Sequence, residues 1–172
     1  MDKIILMGYM GSGKTTIARI LAHKLQWNML DLDILIEQHC GLSIRDIFAK
    51  RGEIFFRKVE RQILQETIVE KSDFVLALGG GTPCYADNHL LLIDDRILSV
   101  YLKTSVGSLK ERLEKSSAGR PLISAIAEDE RAEFIAKHLF DRSRYYNSAT
   151  LKVSTDDKTP EETAAEIIAA LT

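Results

Sequence analysis

Apolar residues gather in short runs at positions 3–7, 28–32, 74–78, 97–102 and 151–153, separated by longer stretches in which they recur at three- and four-residue intervals. Runs of this length predict strands, the one at 74–78 covered on both faces, and the longer period predicts amphipathic helices between them. Strand and helix in alternation predict an α/β domain built on a five-stranded parallel sheet flanked by helices. The first run leads into a glycine-rich turn and then into a helix over 14–25, with Ile17, Ile20, Leu21 and Leu25 on one face. Helical spacing resumes after 28–32 through Leu35, Ile36, Ile44, Ile47, Phe48, Phe55, Val59 and Ile63, and Gly41 and Gly52 are expected to divide it into separate helices.

The run at 74–78 passes directly into Gly79-Gly80-Gly81-Thr82-Pro83, a second glycine loop at a strand end. A helix ending near 115 should follow the run at 97–102, and the small polar stretch 116–121 reads as a mobile loop. Helical spacing over 128–146 precedes the last short run, and Thr159-Pro160-Glu161-Glu162 is a helix start, with proline in the first turn and acids at the positive dipole end.

Composition narrows the picture. At 172 residues the chain suits one domain spanning 1–172. A formal charge of −2 argues against an electrostatic grip on nucleic acid, so no such partner is expected. No apolar run approaches the roughly 18 residues that span a bilayer, and the first run reads as a core strand rather than a leader, so a cytoplasmic protein without a membrane partner is expected. Cys40 and Cys84 lack metal-ligand spacing and read as reduced thiols.

The turn after the first run carries the chemistry. Gly8-Tyr9-Met10-Gly11-Ser12-Gly13-Lys14-Thr15 satisfies G-x-x-x-x-G-K-[ST] between a predicted strand and a predicted helix, which is the phosphate-binding P-loop in its proper setting. Glycines let the backbone curl with its N–H groups turned inward, and the helix adds the positive end of its dipole. Lys14 is then placed to neutralise β- and γ-phosphate charge, and the Thr15 hydroxyl to ligate Mg²⁺. The motif alone leaves ATPases, GTPases and kinases open, although the N-K-x-D element of guanine-specific GTPases is missing.

Acceptor chemistry is suggested by Asp31 and Asp33, which share a face if the strand extends through both, one suited to Mg²⁺ and the other to an acceptor hydroxyl. Arg57 offers a planar fork for a carboxylate, and the glycines 79–81 allow close backbone approach to a ligand. Arg120, after the small polar stretch, could swing over phosphates as a lid closes. Arg142 and Arg144 are both candidates for a second carboxylate clamp, and spacing does not choose between them.

In order and over nearly the whole chain, G-Y-M-G-S-G-K-T-T, D-L-D, F-R-x-x-E, G-G-G, R-P-L and R-x-x-x-Y resemble shikimate kinase. The resemblance implies a three-layer P-loop kinase fold with a mobile lid near 114–125, and transfer of phosphate from ATP to the 3-hydroxyl of shikimate with Mg²⁺ as cofactor, a step toward aromatic amino acids. It implies that Gly11, Ser12, Gly13, Lys14, Thr15 and Thr16 bind ATP, that Thr15 and Asp31 serve the metal, and that Asp33, Arg57, Gly79, Gly80, Gly81 and Arg142 hold shikimate. Lys14, Asp33 and Arg120 would be catalytic, with Arg120 as the lid arginine that also touches ATP. Arg142 then outranks Arg144, which stands where the family's R-x-P-x-Y has proline. Arg112 and Lys158 are candidates on the adenine side, and a monomer is the expected form. Gluconate kinase, nucleoside monophosphate kinase and a non-catalytic nucleotide-binding module are the alternatives.

Overall fold

Every residue of β1 (Lys3–Met7) is buried, as a continuous apolar run requires of a central strand. In the computed structural model, which describes residues 1–116 and 125–171, β1 lies between β3 (Phe74–Ala77) and β4 (Ile97–Lys103). Outside these pair β2 (Asn28–Asp31) and β5 (Leu151–Ser154), giving the parallel order β2-β3-β1-β4-β5.

Alternate residues of the central strands feed two cores, because side chains along a strand alternate between faces. On one side Ile5, Met7 and Leu76 pack against α2 (Leu32–Cys40) and α3 (Ile44–Glu70) through Ile36, Ile47, Phe56, Ile63 and Leu64. On the other, Ile4, Leu6, Val75 and Val100 meet Ile17 and Leu21 of α1 (Lys14–Leu25) and Ala164 and Ile167 of α6 (Pro160–Ala169). Each fully buried Leu or Ile contributes about 1.5–3 kcal/mol, so these faces hold the three layers together. A third cluster joins Tyr9 to Leu109 and Leu113 of α4 (Val106–Lys115) and Ile135 of α5 (Arg131–Tyr146).

Two expected boundaries move. Leu32 opens α2 instead of ending β2, because the Asp31 carboxylate caps that helix through the N–H groups of Asp33 and Ile34. Leu78 lies just beyond β3, although its N–H still donates to Leu6 O at 3.0 Å. The expected breaks occur: Gly41 closes α2 at φ 64°, and Gly52 interrupts α3 at φ 82°, ψ 171°. A capping box on Thr159 starts α6 where the sequence places a helix.

The order brings the chemistry to one edge. After β3, on one flank of β1, the chain crosses to β4 on the other, and ligands bind outside the carboxyl ends of strands at such a reversal. The loops after β1, β2 and β3 open side by side there.

Candidate active site

The loop after β1 is shaped by backbone that side chains would spoil. Gly8, Gly11 and Gly13 have φ of 150°, 84° and 94°. A Cβ on Gly8 would lie 2.9 Å from Leu102 O and from Ser12 Oγ, closer than real Cβ atoms come. Helix α1 begins at Lys14 without a side-chain cap or an acid in its first turn, so its leading N–H groups face an anion site. The Lys14 ammonium donates to Gly8 O at 2.8 Å and Tyr9 O at 3.0 Å, which holds its charge at the mouth of the loop.

This loop forms one wall of a cleft of about 500 Å³ that is also lined by Thr15, Asp31, Asp33, Gly79 and Gly80. A smaller hollow of about 250 Å³ lies beyond the loop, with Thr16, Arg112, Lys158 and Pro160 in its walls. Arg112 reaches Thr155 O at 3.2 Å and Gly11 O at 3.4 Å, and Lys158, which pairs with Glu166, borders the same hollow.

Asp31 and Asp33 both face the large cleft, for a different reason than strand alternation. Asp31 is the N-cap of α2 and Asp33 sits in its first turn. The cap fixes Asp31 Oδ1, and Oδ2 accepts a 3.4 Å bond from the Thr15 hydroxyl. Asp33 is half-buried, and loss of solvent, then the nearby Asp31 and Glu60 carboxylates, push its carboxyl up to about 6 against the pull of Lys14. A carboxylate with that environment is poised for proton transfer near neutral pH.

Each glycine of the second loop faces a different functional side chain. A Cβ on Gly79 would meet Asp33 Oδ1 at 3.2 Å, one on Gly80 Arg142 Nη1 at 3.2 Å, and one on Gly81 Arg57 Nη2 at 3.1 Å. Arg57, from α3, donates to Glu60 at 2.9 Å and lies 3.8 Å over the Tyr85 ring. Arg142, from α5, lies 5.7 Å over the Tyr9 ring. The loop is anchored from below, where Thr82 donates to Glu60 at 2.8 Å, Asn88 to Thr82 O at 3.0 Å and the Tyr146 hydroxyl to Gly80 O at 2.6 Å.

Lys14, Thr15, Asp31, Asp33, Arg57, Gly79, Gly80, Gly81 and Arg142 therefore converge. Arg144 does not: it is exposed and donates to Tyr145. Arg120 and most of the expected lid lie outside the described residues. Sequence reasoning gave no role to Glu60, although it appears in F-R-x-x-E. An acid on the apolar face of α3 beside Phe56, Val59 and Ile63, three residues from Arg57, is the signal that could have found it.

A parallel sheet with a phosphate loop beside a glycine loop that is flanked by one carboxylate and two guanidinium groups defines a P-loop phosphotransferase for a small anionic acceptor. The shikimate kinase family model matches residues 10–172, and the chain belongs to the shikimate kinase family. A shikimate kinase from Flavobacterium johnsoniae is 52% identical over 168 residues, 98% of each chain, and one from Flavobacterium psychrophilum is 48% identical over 97% of each. Among solved structures, the shikimate kinase from Bacteroides thetaiotaomicron superposes with a TM-score of 0.90 at 32% identity, covering 99% of this chain and 98% of that one. The Acinetobacter baumannii shikimate kinase in complex with shikimate gives 0.86 at 32% identity, over 99% of this chain and 93% of that one.

Proposed function

We propose that this chain transfers the γ-phosphoryl group of ATP to the 3-hydroxyl of shikimate, giving shikimate 3-phosphate and ADP. One observation supports the acceptor most: Asp33, Arg142 and Arg57 stand over three successive glycines, beside the phosphate loop. One carboxylate and two guanidinium groups complement an acceptor with a hydroxyl at one end and a carboxylate at the other.

The P-loop N–H groups and Lys14 hold the phosphates, and Gly11, Ser12, Gly13, Thr15 and Thr16 form that cradle. Arg112 and Lys158 border the nucleoside end. Arg57 and Arg142 grip the carboxylate, which turns a ring hydroxyl toward Asp33. Asp33 accepts a hydrogen bond from that hydroxyl, orients it in line with the γ-phosphate and takes its proton as transfer proceeds. The oxygen pair of Thr15 and Asp31, 3.4 Å apart, suits a hard cation that takes one or two protein oxygens and fills its shell with phosphate and water. Mg²⁺ held there would neutralise charge on the β- and γ-phosphates.

A monomer is the proposed working unit. Cys40 and Cys84 are free thiols, in keeping with the reducing cytoplasm. Among the described residues no helix is long and apolar enough to cross a membrane.

The test is ADP release with shikimate, gluconate or a nucleoside monophosphate as acceptor. Shikimate should drive turnover and the others should not; turnover with another acceptor and none with shikimate would overturn the assignment. Arg142→Ala should raise the shikimate KM about 10- to 100-fold, the worth of a charge-assisted clamp, and leave the ATP KM near its original value. An unchanged shikimate KM would remove Arg142 from the clamp.

A further inference from the structure

Tyr9 is a phosphate-loop residue whose backbone and side chain serve different partners. Its carbonyl accepts from Lys14 Nζ at 3.0 Å and from Ser12 N–H at 3.1 Å, so its main chain is part of the phosphate cradle. Its ring is 1% exposed and packs with Leu109, Leu113 and Ile135. A phenol hydroxyl buried among apolar side chains needs a hydrogen-bond partner. It finds one 3.0 Å away, at His138 Nδ1 on α5. The two rings meet edge to face at 5.4 Å, and Phe134 supports His138 from one turn earlier at 5.5 Å.

Arg142 lies one turn beyond His138 on the same helix. Its guanidinium stands over the face of the Tyr9 ring, within the range where a cation is attracted to an aromatic face. Arg142 also reaches Gly80, where a Cβ would lie 3.5 Å from Met10 N and 3.6 Å from Gly8 O. The phosphate loop, the glycine loop and α5 thus meet at one place, with the Tyr9 ring as the surface on which the guanidinium rests.

We propose that His138 is a positioning residue for the acceptor: by holding the Tyr9 hydroxyl it fixes the ring on which Arg142 lies, and so sets the carboxylate clamp in register with the phosphate loop. His138 touches neither substrate in this arrangement and acts through Tyr9. Burial, then the Arg142 charge, lower its pKa against the pull of Asp141, so the neutral imidazole is the form that pairs with the phenol at neutral pH. The consequence falls on acceptor binding rather than on the chemical step, because a clamp gripping a remote carboxylate acts equally in the ground and transition states.

The inference rests on the shikimate reading of the cleft, and steady-state kinetics separates the two. His138→Phe keeps an aromatic ring beside Phe134 and Tyr9 but removes the acceptor nitrogen. It should raise the shikimate KM about five- to tenfold, with kcat and the ATP KM changing by less than about twofold. His138→Asn, whose amide can still pair with a hydroxyl, should recover most of the loss. Tyr9→Phe should match His138→Phe, and the double variant should be no worse than either single one, as expected when two residues act through one bond. A shikimate KM unchanged in His138→Phe and Tyr9→Phe would overturn the inference. So would equal rises in both substrates' KM that asparagine does not repair, since these would mark a structural residue of the phosphate loop. Absence of shikimate-dependent turnover in the unaltered protein would defeat the functional reading itself.

Discussion

Asparagine in place of Asp33 is expected to lower kcat about 10²- to 10⁴-fold, the range for loss of a positioned base, with ATP affinity nearly unchanged. The separation follows from the fold: Asp33 belongs to the first turn of α2, whereas the phosphate cradle is made by the loop after β1. Nucleotide binding by calorimetry and turnover by ADP release read the two effects apart. Equal losses in both would place Asp33 on the nucleotide rather than the acceptor.

The same substitution should stabilise the nucleotide-free, metal-free protein. Raising the carboxyl from 3.8 to about 6 means that ionised Asp33 costs the fold about 3 kcal/mol, at 1.36 kcal/mol per pH unit. The cost is absent below 3.8, where the group is protonated folded or unfolded; it grows between 3.8 and about 6 and is fully present above. Asparagine should therefore raise Tm by about 8 °C at pH 7.5, and the gain should vanish near pH 3.5. A lower Tm at pH 7.5 would show that the carboxylate is stabilised in the fold, and the base assignment would lose its physical ground.

Glu60→Ala should be the most damaging change to stability. Glu60 is 1% exposed and accepts from both Arg57 and Thr82. Its loss strands the Thr82 hydroxyl and leaves Arg57 the longer 3.6 Å pairing with exposed Glu53 and its stacking on the Tyr85 ring. Breaking a buried pair from one side costs about 3–5 kcal/mol, which for a chain of this size lowers Tm by roughly 10 °C. Urea unfolding measures it directly. Glutamine, which keeps one acceptor oxygen, should lose less, and the shikimate KM should rise in both variants because Arg57 and the glycine loop share this support. A cost below about 1 kcal/mol would mean that the network is not the foundation of the clamp.

These predictions turn on features of unequal legibility. Five strands, the breaks at Gly41 and Gly52, and the two glycine loops could be read from the sequence, because each depends on local pattern or backbone freedom. The order β2-β3-β1-β4-β5 could not, since it depends on which strands find each other across the chain. Asp31 and Asp33 were recognised as a pair facing one cleft, but strand alternation is not what orients them. The Asp31 cap turns the chain into α2 one residue earlier than the apolar pattern suggests.

Spacing alone does not choose between Arg142 and Arg144; the family resemblance ranks Arg142 first, and in the fold Arg142 lies over the Tyr9 ring whereas Arg144 is exposed. Glu60 does stand in F-R-x-x-E beside Arg57, but its second partner, Thr82, comes from another loop; Tyr9 and His138 act through other residues, and such roles carry no motif. Their partners lie across the fold, 129 residues apart in sequence for Tyr9 and His138.

A crystal structure of the protein with ADP and shikimate bound tests the central claim most directly. The account predicts the shikimate carboxylate between Arg57 and Arg142, a ring hydroxyl on Asp33, and the β-phosphate within the N–H groups of the loop after β1. Shikimate bound outside this cleft, or inverted with its carboxylate toward the phosphate loop, would contradict it.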